Sequence, residues 1–449
     1  MRAPDPSQVM ASLPESAAGL VKAILAAANE RRLAVYLVGG PVRDLLLGLP
    51  ISDVDLIVEG SDGSDAAELG RAVEHAGARV TRHDRFGTIS LRTDDVSIDL
   101  ATVRRETYLH DGALPSVEPG TLEDDLRRRD FTVNALALPL SDQACSQHVG
   151  IVDFADGLLD LVERRLRVLH ARSFHDDPTR ALRAARLGPR LGFTLSRGSR
   201  PALRDTLRDG AFGRVSGDRL RREFVKLFDD CRLGLDPSRA LRLLAEWHVL
   251  GALEPGLGLA SESTAPLRRL GRAIQTPPWR RGRCRPWVVG LALWLAPAAA
   301  SQRRRALQRL SVRGETAERV SNFGKARDSW LRALQRARGR GAIDAVLRQL
   351  DEEDLLGLFA TVGASALRRR IVRYAVEDRS RRAPVTGDDL IGIGLEGPAL
   401  GPALARIRAA YLDGAVSNRE EALALGRELL RRRGAVRKTA VRNKRRGGR

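Results

Sequence analysis

Cysteine is scarce in this chain: Cys145, Cys231 and Cys284 stand alone among 449 residues, with no paired spacing. A disulfide framework and a cysteine zinc site are therefore not expected, and the seven histidines add no His-x-x-x-His helical pair. Long apolar runs are also missing. No stretch approaches the ~18 residues of a membrane span, even around Trp287 to Ala300. Met1 to Ser16 carries Asp5, Glu15, three prolines and only Arg2 as a basic residue, which excludes the charged start and apolar centre of a signal peptide. These absences predict a soluble protein of a reducing, cytoplasmic setting. Acidic residues are outnumbered, 56 against 76 Lys plus Arg, leaving a charge of +20. That excess favours attraction to polyphosphates and counterion release on binding nucleic acid. Residues 431–449 alone hold 8 Arg and 2 Lys with no acid, a composition that predicts a basic tail without regular structure. Such a tail suits either a loose RNA clamp or a solubilising end.

Residues 38 to 60 concentrate most of the chemistry that is present. The apolar run Leu33 to Val38 reads as a buried strand, Gly39-Gly40 as a turn, and Leu45 to Leu47 as the continuation of a helix with Pro41 in its first turn. Glycines at a helix start let a phosphate approach free backbone N–H groups and the positive end of the dipole. Ile51 to Val58 then alternates as a second strand, whose two-residue period puts Asp53 and Asp55 on one face. Two carboxylates side by side suit Mg2+. A Gly-Gly turn or an Asp-x-Asp pair alone is common in turns and strand ends, so the weight lies in their combination, with 12 residues and a helix between Gly40 and Asp53.

That combination resembles the signature of the DNA polymerase beta nucleotidyltransferase superfamily, and more narrowly the class II tRNA nucleotidyltransferase and poly(A) polymerase family. The resemblance extends through Arg128-Arg129-Asp130-Phe131-Thr132-Val133-Asn134-Ala135, similar almost letter for letter to the family's second motif. It continues through Asp176-Asp177-Pro178-Thr179-Arg180-Ala181-Leu182-Arg183-Ala184-Ala185-Arg186, similar to its nucleotide-selecting helix, and Val215 to Glu223, similar to its neck motif. Phe86-Gly87-Thr88 and Ile98 to Tyr108 also look familial. The similarity is clear over residues 34–255 and fainter near Gly387 to Glu421.

The resemblance implies two Mg2+ ions held by Asp53 and Asp55, with Asp99 as a candidate third ligand or a plain strand-end carboxylate. It implies Gly39 and Gly40 at the phosphate loop, Arg43 and Asp44 stabilising that loop or the metal site, Arg128, Asp130 and Asn134 around ribose and triphosphate, Arg183 and Arg186 on the selecting helix, and Arg219, Arg222 and Glu223 in the neck. Arg-Asp pairs can equally lock loops. Asp177 and Arg180 stand three apart, a spacing that predicts one helix face and, by itself, an ordinary ion pair. Cytosine and adenine each offer an amino donor beside a ring-nitrogen acceptor, so a carboxylate and a guanidinium together meet either edge. Guanine and uracil present the reverse pattern, and each buried polar group left unpaired costs about 1–3 kcal/mol. Protein side chains would then replace a nucleic-acid template. The chain departs from its relatives at Leu187-Gly188-Pro189, where an interior proline predicts that the selecting helix ends or kinks; Gly217-Asp218 is a milder change.

Short Val/Ile/Leu strands such as Ala78 to Thr81, Thr88 to Arg92 and Val96 to Leu100 alternate with helical stretches up to about residue 150, and helical spacing dominates afterwards, as in Arg239 to Trp247 and Ala364 to Val376. The expected fold is an α/β nucleotidyltransferase head with a mixed sheet, followed by an all-α neck, body and tail. Its expected parts are a helical extension over 1–33, the catalytic head over 34–150, helical neck and body over 151–275, helical body and tail over 276–430, and the basic end over 431–449. Gly and Pro clusters at Glu254 to Leu259, Thr276 to Pro286 and Arg382 to Gly387 read as linkers. The expected activity is addition of C, C and A to a tRNA 3′ end from CTP and ATP, with tRNA as partner and neither a membrane nor an obligate protein partner. Arginine clusters at 303–305, 368–370 and 431–433 would hold the tRNA elbow, unless they are solvated helix faces. A poly(A) polymerase, a CC-only or A-only enzyme, a non-catalytic RNA-binding protein on a transferase fold and a small-molecule nucleotidyltransferase are the competing readings.

Overall fold

Strand β1 (Ala34–Val38) shows how the first part of the chain is built, because all five of its residues are buried. Val35 and Leu37 enter one apolar core, while Ala34, Tyr36 and Val38 enter a second on the opposite face. A strand covered on both faces has no polar alternation to show, which is why Leu33 to Val38 reads as a continuous apolar run. The computed structural model describes residues 5–51, 53–60, 65–73, 79–83, 88–92, 97–107, 112 and 116–446. Phe86, Gly87 and Tyr108, among the familial positions, and the last three residues lie outside that range.

Before β1 come helices α1 (Pro6–Ser12) and α2 (Glu15–Arg31), whose Val9, Ala17, Leu20, Val21, Ile24 and Ala28 fill the first core. After it follow α3 (Gly40–Leu46), β2 (Asp53–Glu59), α4 (Asp65–Ala72), β3 (Arg79–His83), β4 (Thr88–Arg92) and β5 (Ser97–Thr102). A hairpin, β6 (Arg104–Thr107) with β7 (Ser116–Pro119), leads to α5 (Leu122–Arg127), a short 3-10 turn (Thr132–Asn134), β8 (Leu136–Pro139), α6 (Asp142–Gln147) and β9 (Val152–Asp153). The main sheet has the order β3-β4-β5-β2-β1-β8-β9. Its strands pair antiparallel except β2 with β5, which run parallel in the register Asp55↔Asp99. Val54, Leu56 and Val58 of β2 and Ile98 and Leu100 of β5 enter the first core, so Asp53, Asp55 and Asp99 share the other face.

Helices α7 (Gly157–Val162), α8 (Ser173–Asp176), α9 (Thr179–Leu191), α10 (Ser199–Arg208) and α11 (Gly217–Asp229) come next. Helix α9 passes through Pro189 and ends at Gly192, which is left-handed at φ 71°. The expected break at Gly188-Pro189 is thus absent. The proline lies in the last turn, where its missing N–H removes a single i to i−4 bond, and Phe193 closes the helix by donating to the Gly188 carbonyl at 2.9 Å.

The chain divides into two compact units, Met1–Glu223 with Leu243–Pro255, and Phe224–Arg242 with Gly256–Arg449. The second is helical. Its helix Pro286–Leu295 is buried on nearly every side and packs with helices Ser261–Ala273, Gly314–Arg336 and Glu352–Thr361. An all-apolar helix of this length needs such a surround. Thr276 to Pro286, expected as a linker, instead brings Trp279 into this core at 1% exposure, its ring 4.8 Å from that of Phe359. Arg303 and Arg368 use their guanidiniums on backbone carbonyls, Arg303 on Ala298 in the turn before the next helix at 2.9 Å and Arg368 on Val362 at a helix end at 3.1 Å. The last helix runs Arg419–Arg446, where the basic tail was expected to lack regular structure; Arg, Lys and Ala are good helix formers. Among the described residues no helix is long and apolar enough to cross a membrane.

Candidate active site

A cavity of about 460 Å³ opens on the sheet face that carries the carboxylates, walled by α3, β2, the β6–β7 hairpin, the turn after α5, α9 and the start of α11. Eight arginines and four carboxylates line it, so its interior is strongly cationic. Gly39 caps the start of helix α3 at φ 77° and ψ −133°, a conformation open to glycine. A Cβ there would also stand 2.5 Å from Arg129 Nη1. Gly39→Ala is therefore expected to destabilise the fold by about 1–3 kcal/mol and to displace Arg129, which urea unfolding and nucleotide binding would measure together. Unchanged values in both would overturn this account of the turn.

Arg43 lies inside α3 rather than reaching outward. Its Nε and Nη2 donate to Asp44 Oδ1 at 2.8 and 2.6 Å, and its Nη1 donates to Asn134 Oδ1 at 2.5 Å. Asn134 in turn donates to Asp130 Oδ1 at 2.9 Å, and Arg183 pairs with Asp130 Oδ2 at 2.9 Å. Burial alone would push the Asp130 carboxyl up, but Arg183, the Asn134 amide and Arg180 hold it below the usual range. One chain of contacts thus joins α3, the 3-10 turn and α9.

Asp55 lines the cavity and Asp53 sits exposed at the start of β2. Burial pushes the Asp55 carboxyl up to about 6; Asp99 and Asp53 add to this, while Arg129 and Arg183 oppose it. Asp99 accepts a hydrogen bond from Ser90 Oγ at 2.6 Å. Among the described residues no group of three or more potential ligands is gathered for a metal. Asp53 and Asp55 nevertheless form a donor pair whose charge a divalent cation would neutralise, and Mg2+ commonly takes one or two carboxylates and completes its shell with water and substrate phosphates.

Asp177 is not on the selecting helix as its spacing suggests. It ends α8 in extended conformation, and Pro178 precedes α9. Its Oδ1 receives Thr179 N at 2.9 Å, Thr179 Oγ1 at 2.6 Å and Arg219 Nη2 at 2.8 Å. Arg180, 4% exposed, donates Nη1 to Ser173 Oγ and Nη2 to the Arg128 carbonyl at 2.7 Å. The two do not pair within a helix, yet both line the cavity, with Arg183 and Arg186 on the next turns. In α11, Arg219 reaches the cavity and the Gly112 carbonyl at 2.7 Å, Glu223 is buried, and Arg222 is exposed. The candidate residues Gly40, Arg43, Asp55, Arg128, Asp130, Asn134, Asp177, Arg180, Arg183, Arg186 and Arg219 thus come together from across 180 residues of chain.

Sequence reasoning passed over Arg129, Glu106, Leu187 and Arg190, which also line the cavity. Arg129 was available inside the second motif. Leu187 and Arg190 follow Arg183 at four and seven residues on α9, the spacing of one helix face. Glu106 lies in the familial stretch Ile98 to Tyr108, but that stretch assigned it no role, and the pairing of β6 with β7 is what places it.

A family model described as the poly A polymerase head domain matches residues 35–167. Along 91% of its length the chain is 31% identical to the A-adding tRNA nucleotidyltransferase of Geobacter sulfurreducens, and over 91% it is 29% identical to that of Halalkalibacterium halodurans. Residues 35–167 thus match a poly A polymerase head domain, and the chain as a whole is similar to tRNA nucleotidyltransferases. It spans 46% of the Geobacter relative and 92% of the Halalkalibacterium one. Among solved structures, that of the Thermotoga maritima CCA-adding enzyme complexed with tRNA_CCA superposes with a TM-score of 0.70 at 26% identity, covering 96% of this chain and 99% of that one.

Proposed function

We propose that this chain is a template-independent tRNA nucleotidyltransferase that adds C, C and A to the tRNA 3′ end from CTP and ATP with Mg2+. One observation carries the reading: the carboxylate of Asp55, the Asp130–Arg183–Asn134 cluster and the pair Asp177 and Arg180 line a single cationic cavity. Asp53 and Asp55 would hold the Mg2+ ions, which when bound supply charge neutralisation for the attacking 3′ oxygen and the departing pyrophosphate. The arginine-rich wall receives the triphosphate and fixes its α-phosphate for in-line attack. Asp130, held ionised by Arg183, offers an acceptor to the ribose hydroxyls. Because Oδ1 of Asp177 already takes three donors, Oδ2 is left to accept from the amino group that cytosine and adenine share, and Arg180 faces the acceptor side.

A second reading is an A-only enzyme, favoured because both relatives matched along 91% of this chain are named A-adding. Labelled CTP and ATP offered with tRNA transcripts ending before CCA, after C and after CC separate the two. Ordered growth on all three, stopping at CCA, is the expected result. Growth confined to the transcript ending in CC makes it A-only, CTP use alone makes it CC-only, and long A tracts on an unstructured RNA make it a poly(A) polymerase. No incorporation with any substrate overturns the enzymatic reading in favour of an RNA-binding protein.

A further inference from the structure

Behind the cavity wall, outside its lining, lies a carboxylate that the proposed reaction does not use. Asp125 is fully buried in α5. Its Oδ1 accepts from Arg128 Nε at 3.0 Å and Nη2 at 2.6 Å, and its Oδ2 accepts from Arg129 Nη2 at 3.1 Å. We infer that Asp125 is a positioning residue that aims Arg128 and Arg129 together at the triphosphate. The inference rests on the nucleotide-binding reading given above.

Charge and geometry both support it. Arg104 and Arg128 share Glu106, at 3.1 and 2.8 Å, so Glu106 and Asp125 together gather the guanidiniums of Arg104, Arg128 and Arg129 into one cluster. Among the described residues Asp125 is the one carboxylate within ion-pair range of Arg129. Anchored from behind through Nη2, Arg129 directs Nη1 to the side of Gly39, at the entrance of α3. In a cavity lined by eight arginines an unanchored guanidinium would be driven out toward water by its neighbours. Spacing explains the choice of residue: one carboxylate at i serves arginines at i+3 and i+4, which lie side by side around the helix end.

The test uses the full chain with CTP and with inorganic tripolyphosphate, in equilibrium binding without RNA, on Asp125→Asn and Asp125→Glu. The aiming role predicts that the Asn variant weakens both ligands by about tenfold or more, as loss of a buried charge partner does, and that the Glu variant binds more tightly than the Asn variant. A purely space-filling role gives the reverse order, because the amide fits the closed site and the longer acid does not; that order overturns the inference. So does unchanged binding by a folded Asn variant. If the Asn variant melts below the assay temperature, the Glu variant decides: affinity within about tenfold of the unmodified chain supports the role, and a larger loss at unchanged melting temperature overturns it. Failure of the unmodified chain to bind either ligand removes the nucleotide reading itself and is distinct from these outcomes.

Discussion

Asp55→Asn is expected to abolish nucleotide transfer, by at least about a thousandfold, while making the cation-free protein more stable. The first half follows from the loss of half the donor pair. The second follows from the sign of the shift. Burial first, and Asp99 and Asp53 after it, raise this carboxyl from 3.8 to about 6. Folding therefore disfavours the ionised form: the penalty is absent below about pH 4, grows between about 4 and 6, and is fully present above that. Two units correspond to roughly 2–3 kcal/mol as an upper bound, which the neutral amide escapes. Urea unfolding in the absence of divalent cations should show the variant ahead at about pH 7.5 and level with the parent at about pH 4. Mg2+ should stabilise the parent more as pH rises through about 6, since protons then stop competing for Asp55, and should leave the variant little changed. A variant less stable than its parent at neutral pH would remove the account of why these carboxylates crowd together.

Asp177→Ala is expected to cost base selection more than turnover. Discrimination of C and A against U and G should fall by about 10- to 100-fold, because a pocket that hydrogen-bonds the correct edge rejects the wrong one by leaving its own groups unpaired. The start of α9 should loosen as well, since Thr179 and Arg219 lose their shared acceptor. Competition between all four nucleotides on one tRNA transcript measures the first effect, and thermal unfolding the second. Selection preserved in a less stable variant would mean that Asp177 is a helix cap and nothing more.

Strand β1, the glycine turn, α3 and the same-face pair Asp53 and Asp55 were legible because each depends on residues close together in sequence: an apolar run, a left-handed glycine, a two-residue period. Asp177 shows the limit of that logic. Its spacing from Arg180 suits a helix face, yet Pro178 separates two helices there, and the aspartate's three donors come from Thr179 and from Arg219, 42 residues onward. Asp125 carried no visible signal, and Glu106 only that of a familial stretch with no role attached, because their meaning lies in partners that tertiary packing supplies. Pro189 misled in the opposite direction. Helix-breaking is a strong rule for an interior turn and a weak one near an end that Gly192 closes anyway.

The spread of the cavity wall along the chain, from Gly40 to Arg219, bears on how the protein comes into being. The wall includes Arg219, so a chain emerging from the ribosome cannot close the pocket until α11 has been made. The first 150 residues hold strands β1 to β8 and the carboxylate pair, but lack every group proposed to read a base. Nucleotide choice is therefore a property that arrives after the scaffold, and an interrupted or truncated chain would own the reactive carboxylates without the means to direct them.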